Sequence, residues 1–99
     1  MKPIRFHPEA DDEFVEQINW YDKEVEGLGT EFFYEVWEAI ENYILKSPQT
    51  WPFYFENYQR YVLSRFPYSI VYREYEKLIL VLAIEPASKE PHYWLKRIK

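Results

Sequence analysis

The chain has 99 residues, no cysteine and a formal net charge of −5 at pH 7. The length suits one domain with one hydrophobic core, and the missing cysteines exclude a disulfide framework, a thiolate metal site and a thiol nucleophile. No apolar run is long enough to span a membrane, and the N-terminal residues lack the apolar core of a signal peptide. We therefore expect a cytoplasmic protein without a membrane partner.

The charges are divided unevenly along the chain. Residues 1–59 hold 4 Lys and Arg against 13 Asp and Glu, which gives −9, whereas residues 60–99 hold 8 against 4, which gives +4. Charged residues on solvated faces would by themselves produce some difference in net charge between the two halves. A reversal of sign between the two halves further indicates a molecule with one basic surface.

The chain begins with a predicted strand and a predicted helix. Alternation over residues 3–7 favours a short first strand, and Pro8 suits the first position of a helix, where its missing N–H costs nothing. The apolar stripe of this helix is Ala10, Phe14, Ile18, Tyr21 and Val25. The sequence Gly27-Leu28-Gly29 ends the helix and turns the chain.

A second helix follows at once. Thr30 is a suitable N-cap, and Ser47-Pro48 ends the helical pattern. The apolar stripe of this helix is Phe33, Val36, Trp37, Ile40, Tyr43 and Ile44. Because the turn between the helices is so short, we expect an antiparallel helical hairpin.

The remainder of the chain is predicted to form strands. Residues 51–58 are rich in aromatic residues, and Pro52 limits them to an edge strand or an irregular lead-in. Residues 60–85 predict three consecutive antiparallel strands. The apolar run from Leu78 to Ile84 belongs at the centre of the sheet with both faces covered, and Glu76-Lys77 form a tight hairpin before it. Residues 92–99 predict a short terminal helix or extension.

These elements predict an α+β fold in a single domain over residues 1–99. An N-terminal strand and an antiparallel helical hairpin pack on a twisted, mainly antiparallel β-sheet, and a short C-terminal helix or tail follows. The residues expected to be buried come from both layers: Phe14, Ile18, Val36, Ile40, Leu80, Leu82 and Ile84.

Residues spread along the whole chain follow a recognisable order. In the C-terminal half they are Arg60, Leu63, Arg65-Phe66-Pro67-Tyr68, Ile70, Tyr72, Pro91, Tyr93-Trp94 and Arg97. In the N-terminal half they are Pro8-Glu9-Ala10, Trp20-Tyr21, Gly27-Leu28-Gly29, Phe32 and Pro48. Each piece is weak alone, but the ordered combination resembles the RelE/ParE toxin superfamily of bacterial type II toxin–antitoxin modules, which includes plasmid-stabilisation toxins.

The resemblance implies the fold just described and a cognate antitoxin whose tail wraps around the toxin. It also implies one of two activities: ParE-like members poison DNA gyrase, and RelE-like members cleave mRNA in the ribosomal A site. It leaves the oligomeric state open. We expect acidic residues of the antitoxin to face Arg60, Arg65 and Lys89, with an affinity that weakens as salt rises.

The chain departs from the superfamily pattern after its last strand. Many relatives carry a His and then an Arg there, whereas this chain has Glu85 and Lys89. A carboxylate is a weaker base than an imidazole at neutral pH, and Lys lacks the planar, bidentate fork of Arg. His92 is the neighbouring residue that could compensate.

We therefore expect no efficient mRNA cleavage and favour a ParE-like or catalytically weak toxin. An acidic protein is also poorly suited to the ribosome, where phosphate contacts dominate affinity. Two alternatives stay open: a ribosome-dependent mRNA endonuclease, and a decayed member of the superfamily that acts only as a binding module.

Ribonuclease chemistry needs a base, an acid and cations that stabilise the phosphate. The candidate catalytic residues are Arg65, Lys89 and Tyr93, and the candidate binding residues are Arg60, Arg65, Arg73, Lys89, Tyr93 and Arg97. Tyr61 or Tyr93 could stack on a base. The competing interpretation makes the strand arginines solvated, Tyr93 and Trp94 anchors of the tail, and Glu85 the solvated end of a strand. His7 and His92 show no metal-binding spacing, so we expect neither a metal nor a cofactor.

Overall fold

The structure is a computed structural model that describes residues 1–98. Its main elements are β1 (Ile4–Phe6), α1 (Pro8–Glu24), α2 (Leu28–Ala39), β2 (Phe53–Phe55), β3 (Tyr58–Val62), β4 (Tyr68–Glu74) and β5 (Ile79–Pro86). A π-helical turn, Ile40–Ile44, continues α2, and two 3₁₀ helices span Pro48–Thr50 and Tyr93–Arg97. The second of these is the predicted C-terminal helix, whose last predicted residue, Lys99, lies outside the described residues.

The five strands form one sheet in the order β1-β5-β4-β3-β2. β1 runs parallel to β5, and every other neighbouring pair is antiparallel. The tight hairpin is present, because the Tyr75 N–H donates to the Leu78 carbonyl at 2.8 Å, with Glu76 and Lys77 at the tip. The α+β fold and the edge position of β2 are thus confirmed.

A bulge in β5 determines which side chains face the helices. Tyr72 of β4 pairs with Val81, but Val71 pairs with Ala83, so one strand carries an extra residue, Leu82. A β-bulge of this kind interrupts the alternation of faces. As a result Val81 packs in the core under the helices, whereas Leu82 and Ala83 pack on the opposite face.

Two of the predicted core residues are only partly buried. Leu80 lies near the hairpin tip, on the face of the sheet that α1 and α2 do not cover (the helix-free face). Ile18 lies at the margin of the helical layer. The C-terminal segment covers Leu82 but does not contact the surroundings of Leu80. Leu80 therefore keeps part of its exposure, whereas Leu82 is buried. The other predicted core residues are buried: Phe14, Val36, Ile40, Leu82 and Ile84.

Helix α2 begins three residues earlier than predicted. Gly27 has a φ of 86°, a left-handed conformation that glycine adopts without strain, and it serves as the N-cap of α2. Gly29 therefore lies inside the first turn of α2, and Thr30 is not a cap. Glycine is required at position 29 because a Cβ there would lie 2.2 Å from the Ile18 carbonyl oxygen of α1.

This close approach sets the rotation of α2. The residues that it turns inward are Gly29, Phe32, Val36 and Ala39, whereas Phe33 of the predicted stripe is 37% exposed. The π-helical turn then leaves Tyr43 47% exposed, and Val25 at the end of α1 is 58% exposed. The stripe predictions at these three positions are wrong.

No helix within residues 1–98 is long and apolar enough to cross a membrane.

Candidate functional site

The helix-free face of the sheet carries two of the predicted binding residues. The Arg60 guanidinium of β3 lies 4.0 Å from the centroid of the Tyr54 ring, and that of Arg73 on β4 lies 4.5 Å from the Tyr75 ring. Both residues are partly buried. A guanidinium that stacks on an aromatic ring keeps its in-plane N–H donors available for a carboxylate or phosphate.

An aromatic cluster covers the same face closer to β5. Trp94 of the C-terminal 3₁₀ helix is fully buried against Tyr58, Val71 and Leu82. His92 precedes this helix with a φ of 65°, and its ring centroid is 5.0 Å from that of Phe55 and 5.4 Å from that of Trp94. The cluster fastens the C-terminal segment to the sheet.

Glu85 is buried beneath this cluster rather than solvated at a strand end, so the expectation of a solvated side chain is wrong. Its carboxylate accepts hydrogen bonds from the Tyr54 hydroxyl at 3.1 Å and from the Trp94 indole N–H at 3.3 Å. Burial raises the pKa of Tyr54, and the Glu85 charge raises it further. Glu85 thus holds Trp94 and Tyr54 in place.

Glu13 of α1 is the centre of a second, largely buried polar network. β1 is short, so the edge of β5 beyond Val81 has no strand partner on that side. Side chains from elsewhere pair with this edge: Glu13 accepts from the Ile84 N–H at 2.8 Å, and the Gln17 amide donates to the Ile84 carbonyl at 2.9 Å. Buried backbone groups require such partners.

Arg97 and Tyr93 complete the Glu13 network. Two guanidinium nitrogens of Arg97 donate to the Glu13 carboxylate at 3.1 and 3.2 Å, and one also donates to the Leu82 carbonyl at 3.0 Å. The Tyr93 hydroxyl donates to Glu13 at 2.5 Å. The Arg97 side chain is 7% exposed. Burial and the Glu13 carboxylate raise the pKa of Tyr93. Both residues therefore hold the tail against α1.

Lys89 lies beside this network. Its ammonium is 4.8 Å from the centroid of the Tyr93 ring. It also borders an open cavity of about 500 Å³ that is lined by three further carboxylates of α1, those of Glu9, Asp12 and Glu16. The surroundings of Lys89 are thus acidic.

Arg65 lies in the connection between β3 and β4 and faces α2. Its guanidinium is 2.5 Å from the Glu31 carboxylate and lies over the Phe66 ring at 4.9 Å. Its backbone N–H donates to Glu35 at 3.0 Å. These contacts join the strand connection to α2.

The structure thus distributes the predicted site residues over three regions. Arg60 and Arg73 share the helix-free face, whereas Arg65 contacts α2. Lys89, Tyr93 and Arg97 lie together beside α1. The catalytic and binding roles of all six residues stay predictions.

The two histidines lie in different settings. His7 caps α1, since its Nδ1 accepts from the Glu9 N–H at 3.1 Å, whereas His92 belongs to the aromatic cluster. In the part of the chain that the structure describes, no group of three or more potential ligands could hold a metal ion.

Sequence reasoning missed Glu13 and the aromatic partners of Glu85. The acidic residues at the start of α1 matched the helix dipole, which explained them without any buried role. One signal was available: Glu13 lies next to Phe14 and three residues after Ala10, so it borders the buried stripe of the helix.

The chain is similar in structure to a solved protein. It superposes on a chain of the chromosomal ParDE toxin–antitoxin system from P. aeruginosa with a TM-score of 0.76 and 15% sequence identity, covering 89% of this chain and 98% of that one. No family model matches the sequence, and no curated protein matches it significantly. At this identity the likeness establishes the architecture. The chain therefore shares its fold with a chain of a ParDE toxin–antitoxin system, and this is the fold that the resemblance in its sequence implied.

Proposed function

We propose that the protein is the toxin of a type II toxin–antitoxin module and that it acts in a ParE-like manner on DNA gyrase. The observation that supports this proposal is the shared fold, which extends over nearly the whole length of a chain from a ParDE system. The proposal includes a cognate antitoxin, a single toxin domain and a cytoplasmic location.

The arrangement of the candidate residues supports the ParE-like branch over the nuclease. The Tyr93 hydroxyl and the Arg97 guanidinium are engaged with Glu13, and the Glu85 carboxylate is engaged with Tyr54 and Trp94. General acid–base catalysis needs groups that can reach the substrate and exchange protons with it. The groups at the usual positions instead make internal contacts.

One feature favours the alternative of an mRNA endonuclease. Arg60 and Arg73 are stacked on tyrosine rings of the helix-free face, close to further aromatic side chains. Cations next to aromatic rings suit the backbone and bases of a single-stranded nucleic acid. His92 lies at the edge of this face, and an imidazole is the side chain that most often serves as a general acid or base.

The test combines induced expression in bacteria with two assays on the purified protein. We expect arrested growth with intact mRNA, inhibition of gyrase supercoiling, and no codon-positioned cuts when in vitro translation is analysed by primer extension. Cuts that vanish in Arg65→Ala or His92→Ala would establish the nuclease instead. A folded protein that binds its antitoxin but is inactive in both assays would be a decayed binding module.

A further inference from the structure

A groove runs along the outer side of α2, where the helical layer ends above β3. It has a volume of about 630 Å³. The residues that line it come from α2, the π-helical turn and the β3–β4 region: Glu31, Tyr34, Glu35, Glu38, Ala39, Tyr43, Tyr61, Leu63, Ser64 and Arg65. Of the six predicted site residues, Arg65 is among those that line this groove.

The floor of the groove is aromatic and held in place. The Tyr61 ring of β3 stacks on Tyr43 with centroids 5.6 Å apart, and Trp51 meets Tyr61 edge-on at 4.8 Å. The Trp51 indole also donates to the Tyr43 carbonyl at 3.2 Å. Such a floor is ordered before any ligand binds, which lowers the entropic cost of binding.

The rim of the groove is acidic. Glu31 and Glu35 are occupied by contacts to Arg65, whereas Glu38 has no ion pair or hydrogen bond within residues 1–98. Burial raises the pKa of Tyr61, and the neighbouring Tyr43, Glu35 and Glu38 raise it further. A ligand in the groove would therefore meet uncompensated negative charge.

Exposed aromatic side chains extend the groove across α2. Tyr34 is 64% exposed, and Phe33 and Trp37 border a second depression together with Glu38 and Glu41. Aromatic side chains are enriched at protein interfaces. Contiguous exposed apolar surface rimmed by polar residues marks an interaction site.

We propose that this groove docks a basic amphipathic helix of a partner chain, whose apolar side chains pack on Tyr34, Tyr43 and Tyr61 while its Lys or Arg residues pair with Glu38. The identification of that partner as the antitoxin rests on the function proposed above. The ligand is a helix rather than an added strand, because the groove is lined mainly by side chains of α2 and by the helix-facing side chain of Tyr61. An added strand would instead extend the sheet in its own plane, along the edge of β3 that β2 leaves unpaired beyond Arg60. A second copy of this chain that docked through the same groove would bring like charges together.

The proposal reverses the polarity expected from the sequence, which placed acidic antitoxin residues against Arg60, Arg65 and Lys89. Arg65 is already paired with Glu31, and Lys89 borders a cavity that carboxylates of α1 also line. The surface on α2 combines exposed aromatic side chains with a charge that has no ion pair within residues 1–98, and that charge is negative.

The test uses a probe that does not depend on the toxin assignment. A Leu/Lys amphipathic peptide of about 18 residues, which is about five helical turns, is titrated into the labelled protein and followed by amide chemical shifts. We expect shifts concentrated at the groove, and none with a matched Leu/Glu peptide. Shifts that map instead to the acidic residues of α1, or no binding at all, would overturn the proposal.

Matched variants distinguish binding in the groove from a general attraction of the basic peptide to acidic surface. Tyr34→Ala/Glu38→Lys removes one exposed aromatic side chain and one carboxylate from the groove, and Trp20→Ala/Glu16→Lys does the same on α1. We expect the first to weaken the peptide about tenfold, which corresponds to about 1.4 kcal/mol, because it removes an aromatic contact and reverses a charge within the groove. We expect the second to weaken it less than about threefold. Equal losses would contradict the groove.

The protein encoded beside this gene is then tested with the same variants. Binding that both variants weaken equally would overturn the groove while leaving the toxin–antitoxin assignment intact. If the neighbouring protein does not bind and expression is harmless, the proposed function fails, and the peptide titration still decides the groove by itself.

Discussion

The residue with the greatest structural consequence is Glu13. Its carboxylate accepts hydrogen bonds from Ile84 of the central strand, from Tyr93 and from Arg97, so it joins α1, β5 and the C-terminal segment. The Glu13 side chain is 14% exposed and that of Arg97 is 7% exposed, so the pair is mostly removed from water. Removal of one partner from such a pair leaves the other charge without compensation.

Glu13→Ala is expected to lower the free energy of unfolding by about 3 to 5 kcal/mol, the range for breaking a buried ion pair. The measurement is urea-induced unfolding followed by tryptophan fluorescence. Glu16→Ala serves as the control, because Glu16 is exposed one turn away on the same helix, and it should change stability by less than about 0.5 kcal/mol. Similar losses for the two variants would contradict a special role for the Glu13 network.

At the scale of elements, the contact between α1 and α2 decides how the helical layer forms. Gly27 makes the turn through its left-handed conformation, and Gly29 permits the close approach of the two helices. The aromatic side chains that pack between the hairpin and the sheet depend on this approach, including Tyr21 and Phe32, whose ring centroids are 5.2 Å apart. The rotation of α2, and hence the exposure of its outer face, follows from it.

The two glycines should respond differently to alanine. Gly27→Ala meets no atom within 4 Å but retains a φ of 86°, so it should cost about 1 kcal/mol through backbone strain. Gly29→Ala places a Cβ 2.2 Å from the Ile18 carbonyl oxygen, so the helices must separate, at a cost of about 3 kcal/mol or more. Thermal unfolding of the two variants measures the difference, and a smaller loss at position 29 would contradict this packing.

At the scale of the whole molecule, several tyrosines are held protonated by the fold. Burial is the first cause of the raised pKa in each case, and the residues are Tyr54, Tyr58, Tyr61, Tyr68, Tyr72 and Tyr93. In the unfolded chain a tyrosine has a pKa of about 10. A folded-state pKa above the unfolded value contributes stability that is complete below pH ~10 and is lost as the pH rises further.

We therefore expect the urea midpoint to be constant through mildly alkaline pH and to fall steeply above pH ~10, where the unfolded state releases protons that the folded state retains. Tyr93→Phe tests the assignment, because it removes one of the most strongly shifted groups and should make the alkaline decline shallower. Tyr34→Phe, at an exposed position, should leave the slope as it is. A stability that does not change between pH 9 and about 11 would contradict the burial of these hydroxyls.

The sequence by itself determined the elements and their order, because those depend on local properties. The alternation around Ile70, the apolar run of β5, Pro8 at the start of α1 and Pro52 beside an edge strand each act within a few residues. They were sufficient for the α+β fold, and the fold that the superfamily resemblance implied is the one observed.

Tertiary structure alone decided the bulge at Leu82, the rotation of α2, the burial of Glu85 and the assembly of Glu13 with Tyr93 and Arg97. The partners in that assembly are 80 and 84 residues apart in the chain. The periodicity of a sequence indicates which face of an element is apolar. The same pattern is compatible with either a solvated or a buried position for a charged residue beside that face. Only the packing of distant elements determines whether its partners are present.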